Sequence, residues 1–153
     1  MIVPYQPNWQ NEFLSLQQAL HQTLDNLALR IDHIGSTSVP GLAAKDIIDI
    51  QITVESLDAA VEAALNQAGY QRVAHLTQDH LPPGRNDSSD DWIQWVFKPI
   101  ASQRPVNVHV RLVGRANQRY ALLFRDYLRA NPAIAQAYAE VKLALAKYHP
   151  DRC

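Results

Sequence analysis

The stretch Ile31–Val54, IDHIGSTSVPGLAAKDIIDIQITV, joins a glycine-serine turn to a strand that carries an acidic residue. From residue 47 to 54 apolar and polar residues alternate, with isoleucine or valine at 48, 50, 52 and 54. Successive side chains of a β-strand point to opposite faces, so this pattern predicts one packed face and one polar face. The polar face would carry Asp49, Gln51 and Thr53.

The turn itself has the composition of an anion-binding site. Small residues let the backbone approach a ligand closely, and consecutive amides in such a turn can bind an anion. We therefore expect phosphate binding by the backbone of the turn, its hydroxyls and a nearby lysine, namely Gly35, Ser36, Thr37, Ser38 and Lys45. The spacing of a P-loop is absent, and a capped turn without a ligand is the alternative interpretation.

Asp49 is the candidate metal ligand and a candidate catalytic residue of this unit. A carboxylate just beyond a phosphate-binding turn can hold a divalent cation such as Mg²⁺ that bridges the phosphates. Phosphoryl and nucleotidyl transfers use such an ion to neutralise charge and align the reacting oxygens. The alternative is a structural carboxylate that caps the backbone or pairs with a lysine such as Lys45.

A second alternating strand, over residues 106–113, carries Asn107, His109 and Arg111 on its polar face. If the two strands are neighbours, both polar rows flank the turn. His109 is then a candidate catalytic base, a ligand for a softer metal or a donor to a phosphate, and the alternative is a half-exposed histidine without chemistry. Arg111 could reach a phosphate through its fork of donors.

The helix predicted around residue 125 offers a second arginine with two interpretations. Arg125 could contact a phosphate. Alternatively, Arg125 and Arg129 lie on a solvated face, where Asp126 pairs with Arg129 three residues later. His33, one residue before Ile34, is expected to orient the turn through a hydrogen bond.

The remaining pattern predicts an α+β domain over residues 1–153, with a mixed β-sheet and helices packed mainly on one side. An apolar stripe from Trp9 to Leu27 predicts a first helix, and Ser56 and Gly69 would begin and end a second. Further strands are expected at 70–75 and 92–98, and two helices close the chain, the last starting at Asn131-Pro132. The polar stretch 76–91 is a functional loop or partly disordered; it contains Asp79 and Arg85, and no metal motif.

Composition narrows the functional classes. The 153 residues are 47% hydrophobic and 19% charged, with a net charge of -1, so general binding to nucleic acid is not expected. The only cysteine is Cys153, which excludes an internal disulfide framework and a cysteine-based zinc site. No charged-then-apolar leader is seen, and no apolar run approaches the ~18 residues of a membrane span, so we expect a cytoplasmic protein that does not enter the membrane.

These residues resemble a known signature. Ile34-Gly35-Ser36, twelve residues, then Asp49-Ile50 is similar to the motif of the polymerase-β-like nucleotidyltransferase superfamily. More closely, the chain resembles the GrpB family of that superfamily. The similar segments are PYQPNWQNEF (4–13), HIGSTSVPGLAAKDIIDI (33–50), VHV (108–110), LLFRDYLRANP (122–132) and AYAEVKLALA (137–146).

The resemblance implies a site and also marks departures from it. In the superfamily the turn holds a nucleoside triphosphate, and two acids one residue apart bind metal ions. This chain has Gln51 at the second acidic position and His109 on the strand that would supply a third carboxylate. An amide and an imidazole bind Mg²⁺ poorly, which leaves Asp49 as the expected ligand.

Three hypotheses follow. The first is a metal-dependent nucleotidyltransferase acting on a nucleoside triphosphate and an unknown acceptor, with Gln51 and His109 positioning the acceptor or phosphate. The second is a non-catalytic domain that binds a nucleotide or another phosphate-bearing ligand. The third is a partner domain beside another enzyme, since some family members are fused to dephospho-CoA kinase, which implies a link to coenzyme A metabolism.

Overall fold

The computed structural model describes residues 1–81, 83–84, 88–101 and 104–149. Arg85 and Cys153, named above, lie outside these ranges. In chain order the described elements are β1 Ile2–Val3, α1 Asn8–Leu24, β2 Arg30–Ile34, β3 Ala44–Lys45, β4 Ile48–Val54, α2 Ala59–Gln67, β5 Tyr70–Arg72, β6 Trp95–Pro99, β7 Val106–Leu112, α3 Ala116–Ala130 and α4 Pro132–Tyr148.

The main sheet has five strands in the order β2-β4-β7-β6-β5, and β1 pairs with β3 in a separate two-stranded sheet. Strands β4 and β7 run parallel, while the other neighbours in the main sheet are antiparallel. A parallel pair requires a long crossover connection, which α2, β5 and β6 provide here. The mixed sheet confirms the predicted α+β class, and it makes the two alternating strands direct neighbours.

The alternation of β4 divides the sheet into two different faces. Its apolar side chains are at most 1% exposed and pack in one cluster with Trp9, Phe13 and Leu20 of α1 and with Leu65 of α2. Burying a side chain of this size stabilises the fold by about 1.5–3 kcal/mol. The hydrophobic effect thus fixes the register that turns Asp49 and Gln51 to the opposite face.

Helix α3 lies on this opposite, polar face. The Gln118 carbonyl accepts a hydrogen bond from the Gln51 side chain, and Arg125 Nη1 donates to the His33 carbonyl at 3.1 Å. Helix α4 is held by a second apolar cluster of Val39, Leu42, Leu128, Ala135 and Ala139. The turn after β2 is therefore enclosed by α3 and α4 on the face away from α1.

Several boundaries differ from the expected ones. Helix α1 ends at Leu24 and continues as a 3-10 turn over Asp25–Leu27. Asp58, rather than Ser56, caps α2, because its carboxylate accepts from the Val61 amide, while Ser56 only donates to that carboxylate. A 3-10 turn, Ser89–Trp92, delays the expected strand until Trp95.

The expected Asp126–Arg129 pair is wrong. Asp126 pairs with its neighbour Arg125 at 2.9 Å, and Arg129 Nε donates to the Ser38 carbonyl at 2.9 Å. Arg129 can take this partner because α3 packs over the turn and brings a backbone acceptor within reach. In the part of the chain that the structure describes, no helix combines the length and apolar character needed to cross a membrane.

Candidate functional site

Gly35 begins the turn in a conformation that favours glycine. Its φ of 74° and ψ of -176° lie in a region that is essentially restricted to glycine. A Cβ atom built on Gly35 would lie 2.6 Å from Asp49 Oδ2, far inside van der Waals contact. The absent side chain therefore lets the Asp49 carboxylate lie directly against the backbone of the turn.

Strand register brings three polar side chains to one place beside that turn. In the parallel pair β4–β7, Asn107 lies opposite Asp49, and His109 lies opposite Gln51. Asp49 Oδ1 accepts a hydrogen bond from Asn107 Nδ2 at 3.2 Å and lies 3.4 Å from His109 Nε2. The Asp49 and His109 side chains are 27% and 21% exposed, so a ligand can reach both.

Gln94 orients the imidazole of His109. Its Oε1 atom lies 3.0 Å from His109 Nδ1, and an amide oxygen only accepts hydrogen bonds. With the carboxamide in this orientation, Nδ1 carries the proton of the neutral ring, and Nε2 is the atom that can take up another. A proton gained at Nε2 would lie between the ring and Asp49 Oδ1.

The three hydroxyls of the turn differ in their surroundings. Thr37 is buried and donates to the Ile47 carbonyl at 3.3 Å. Ser38 is also buried, and its hydroxyl donates to the Gly35 carbonyl at 2.5 Å. These two hydroxyls hold the turn together, whereas Ser36 is partly exposed.

His33 supports the turn from the apolar face of the sheet. Its Nε2 lies 2.9 Å from Thr37 Oγ1, and its ring stacks on Phe13 with centroids 4.7 Å apart. Burial, and to a lesser extent the positive charge of Arg129, lowers the pKa of His33 to about 4. The neutral ring therefore donates to Thr37, which in turn donates to Ile47, in agreement with the expected orienting role.

A lysine from α4 reaches the turn. Lys142 Nζ donates to Ser36 Oγ at 2.9 Å and lies 5.5 Å from the centre of the Tyr138 ring. Burial raises the pKa of the Tyr138 hydroxyl, against the opposing effect of its hydrogen bond with Ser36. Lys45, the lysine expected at the phosphate, lies on β3 and pairs with Ile2 in the small sheet.

Gln51 and Arg111 form a buried polar network. Gln51 is fully buried; its amide oxygen accepts from Arg111 Nη1 at 2.9 Å, and its amide nitrogen donates to the Gln118 carbonyl. Arg111 also makes two hydrogen bonds to the Asp79 carboxylate, at 3.0 and 2.8 Å. Gln51 is thus fully engaged inside this network, where a ligand does not reach it. Arg111 is held by the same network but also lines the cavity next to the turn, so its contact with a phosphate stays a prediction.

Arg125 likewise anchors the fold rather than facing the site. Its Nη1 atom lies 3.1 Å from the His33 carbonyl and 3.7 Å from Asp32 Oδ1. These two contacts fix α3 against the end of β2, whereas the Arg125–Asp126 pair lies within α3. Its role at the site is to position the turn through the backbone of His33.

A cavity of about 210 Å³ adjoins the turn on the polar face. The residues that line it include Gly35, Asp79, Trp92, Arg111, Asn117, Tyr120 and Phe124. Asp79, Gln94, Asn117 and Lys142 were not identified from sequence as site residues, because each lies outside the two alternating strands and is brought in by tertiary packing. His80 lines the same cavity.

The side chains beside the turn suit one metal ion that is also bound by phosphates. They do not suit an ion whose ligands all come from the protein. Within the described ranges no three His, Cys, Asp or Glu side chains are grouped to hold a metal. Mg²⁺ is commonly bound by one or two carboxylates plus substrate phosphates, so Asp49 beside the turn is sufficient for one such ion. A second ion does not fit, because the Gln51 carboxamide is buried and fully engaged.

Comparison with known proteins gives a consistent family. The family model described as GrpB protein matches residues 1–153. A protein of Mycobacterium tuberculosis named dephospho-CoA kinase is 44% identical over 155 residues, which cover 92% of this chain and 38% of that protein. UPF0157 protein YqkA of Bacillus subtilis is 36% identical, over 98% of this chain and 40% of that protein. The chain thus spans less than half the length of these two relatives.

Solved structures agree with the family and the fold. The crystal structure of conserved protein GrpB from Enterococcus faecalis matches with a TM-score of 0.76 and 34% identity, over 99% of this chain and 86% of that one. A cytoplasmic RNA terminal U-transferase matches with a TM-score of 0.50 and 13% identity, over 90% of this chain and 38% of that one. At that identity the likeness concerns the fold alone, and it confirms the nucleotidyltransferase-like class.

Proposed function

The chain belongs to the GrpB family, and we propose that it is a nucleotidyltransferase that binds a nucleoside triphosphate at the turn and transfers its nucleotidyl group to an acceptor. One observation carries this proposal: the Asp49 carboxylate lies so close to Gly35 that a Cβ there would be 2.6 Å from Oδ2. A carboxylate in contact with an anion-binding turn needs a cation between itself and a bound phosphate. A metal-bound nucleotide supplies both charges together.

Phosphate binding is assigned to the exposed start of the turn. The first amides of a helical turn have no partner within it, and on this ground we assign the amides of Ser36 and Thr37 to the phosphate. Ser36 Oγ and the Lys142 ammonium, 2.9 Å apart, add a hydroxyl and a positive charge. Lys45 stays a proposed phosphate ligand, second to Lys142.

Asp49 is the proposed metal ligand. When bound, the ion would neutralise charge on the triphosphate and polarise the phosphoryl group. Asn107 Nδ2 holds Asp49 Oδ1, which orients the carboxylate and leaves Oδ2 beside the turn. This arrangement requires one acid, in keeping with Gln51 at the neighbouring position.

His109 is the proposed general base. The acceptor oxygen attacks the α-phosphorus, a new phosphorus–oxygen bond forms, and the bond to the departing pyrophosphate breaks. The acceptor proton passes to His109 Nε2, which Gln94 keeps available by accepting from Nδ1. The proton on His109 Nε2 is then shared with Asp49 Oδ1, which lies 3.4 Å from Nε2.

A second candidate function is nucleotide binding without transfer. The specific observation that favours it is the buried Gln51, whose place in a network with Arg111 and Gln118 leaves one acid where the superfamily has two. The name of the mycobacterial relatives adds dephospho-CoA to the ligands worth testing. Both candidates share the turn and Asp49, and they differ only in whether a product forms.

The deciding experiment measures binding and product release in parallel. Each of the four ribonucleoside triphosphates is added with and without Mg²⁺, together with RNA, protein and small-metabolite acceptors, and released pyrophosphate is quantified. If the chain is a transferase, pyrophosphate is released only with Mg²⁺, and Asp49→Asn abolishes this release. Glu55 is an exposed acid just past the other end of β4, and the control variant Glu55→Gln should release pyrophosphate at the wild-type rate.

His109→Gln separates binding from chemistry. We expect it to lower turnover by about 10²–10⁴-fold with nucleotide affinity unchanged, the range for a lost general base. Binding without product under every condition would support the second candidate. An active Asp49→Asn variant would contradict the proposed transferase, and failure of every nucleotide to bind would contradict both candidates.

A further inference from the structure

The cavity next to the turn lies where the rest of a bound nucleotide would extend. It shares Gly35 with the phosphate-binding turn and continues along the polar face towards α3. Its volume of about 210 Å³ is smaller than the roughly 300–1,000 Å³ of pockets for whole drug-sized ligands. The space therefore suits one ring system attached to a group held outside the cavity.

One wall of the cavity is aromatic. Tyr120 and Phe124 lie one helical turn apart on α3, with ring planes only 3° from parallel and centroids 6.0 Å apart. Trp92 is buried behind them and meets Tyr120 edge to face, at 6.1 Å. Tyr120 is 46% exposed, so a large part of this ring surface is open to a flat ligand.

Two polar residues of the lining, Asp79 and Asn117, have acceptor capacity left. Asn117 Nδ2 donates both of its hydrogens, to Asp79 Oδ2 at 2.9 Å and to the Ile93 carbonyl at 2.8 Å, which also fixes the orientation of the amide. Its Oδ1 is buried and has no partner among the described residues. Asp79 Oδ2 accepts two hydrogen bonds, whereas Oδ1 accepts one from Arg111, so Oδ1 can accept another.

From these observations we propose that the cavity holds the base of the nucleotide and selects guanine. The base stacks on Tyr120, and its neighbouring N1–H and N2–H groups donate to Asp79 and Asn117. Adenine and cytosine offer a single amino donor beside a ring acceptor, and uracil offers one N–H between two carbonyls. Guanine alone presents two adjacent donors to two acceptors. This inference rests on the proposed function, because the triphosphate must lie at the turn.

Calorimetric titration of the whole chain in the presence of Mg²⁺ tests the selection of guanine. The five ligands are inorganic triphosphate, GTP, ITP, ATP and UTP. Stacking and edge contacts predict that GTP binds at least about tenfold more tightly than inorganic triphosphate. ITP lacks only the 2-amino group of GTP, and the loss of one hydrogen bond predicts about fivefold weaker binding. ATP and UTP are expected to bind more weakly than GTP.

Variants of the exposed aromatic residue keep the test separate from folding. Tyr120→Ala should weaken GTP binding at least about fivefold and leave the affinity for inorganic triphosphate unchanged. Tyr120→Phe should retain GTP affinity, and Tyr127→Ala, an exposed tyrosine two turns along α3, should change nothing. Equal affinity for all five ligands, or GTP binding indifferent to Tyr120→Ala, would overturn the inference and leave the phosphate site standing. Preference for another base through Tyr120 would overturn the selection of guanine. Failure of inorganic triphosphate and all nucleotides to bind would overturn the proposed function, and this inference with it.

Discussion

Replacing Gly35 with alanine perturbs the closest contact of the site. The backbone conformation at φ 74° and ψ -176° costs a residue other than glycine about 1–3 kcal/mol. The new Cβ would also lie 2.6 Å from Asp49 Oδ2, so the carboxylate must move. Losing its hydrogen bond with Asn107 adds about 1 kcal/mol, and we expect a total destabilisation of about 2–4 kcal/mol.

Gly41 provides the matched control. It also has a positive φ, 82°, but a Cβ built there meets nothing within 4 Å. Gly41→Ala should therefore destabilise the fold only through the backbone, without a collision. We expect its destabilisation to be smaller than that of Gly35→Ala by at least about 1 kcal/mol. In the double variant Gly35→Ala/Asp49→Ala the collision with Oδ2 is removed, which predicts a favourable coupling of about 1 kcal/mol between the two positions.

Urea denaturation followed by circular dichroism measures these differences in the free energy of unfolding. The assay requires only that each variant unfold in one cooperative transition. Equal destabilisation by Gly35→Ala and Gly41→Ala, together with no coupling to Asp49→Ala, would refute the close contact between the turn and the acid.

Three further predictions concern the surroundings of the turn. The pKa of His33 is about 4 in the folded chain and about 6.5 in the unfolded chain. As the pH falls, the unfolded chain therefore binds the extra proton first. The free energy of unfolding should drop by about 2–3 kcal/mol between pH 7 and 4.5. Urea titrations should show a flatter profile for His33→Phe and an unchanged one for the exposed control His75→Gln, and equal profiles for all three would contradict this. Asp79→Ala leaves the buried Arg111 charge without its carboxylate and should lower the free energy of unfolding by about 3 kcal/mol, measured by urea denaturation. A loss below about 1 kcal/mol would argue against the network of Arg111 and Asp79. Lys142→Ala should weaken inorganic triphosphate binding about tenfold in calorimetry, whereas Lys147→Ala, later on the same helix, should leave it unchanged, and equal effects would remove Lys142 from the site.

The sheet could be predicted from the sequence because strand alternation is a local property. Alternation over 47–54 and 106–113 indicated which side chains face away from the core, and the structure makes the two strands parallel neighbours. Gly35 and Asp49 could likewise be identified from their places before and on a strand. Boundaries were less accurate, since Asp58 competes with Ser56 for the cap of α2 through one hydrogen bond.

The rest of the site depends on contacts between residues distant in sequence. Lys142 meets Ser36 across 106 positions, and Arg111 meets Asp79 across 32. Strand period alone placed Gln51 and Arg111 on the ligand face, but α3 covers that part of the face and buries them. The position of α3 cannot be predicted from residue spacing or composition, because it is set by the packing of Leu128 and the contacts of Arg125.

The most direct test of the account measures nucleotide affinity at Asp49. Calorimetric titration of the wild-type chain and Asp49→Asn is carried out with the triphosphate that stabilises the chain most in a thermal-shift screen, with and without Mg²⁺. A carboxylate that holds the metal-bound triphosphate predicts at least about tenfold weaker binding by Asp49→Asn in Mg²⁺. In the absence of Mg²⁺ the variant should bind at least as tightly as the wild-type chain, because it lacks the negative charge that repels the phosphates. The same affinity for both proteins in Mg²⁺ would contradict the central claim.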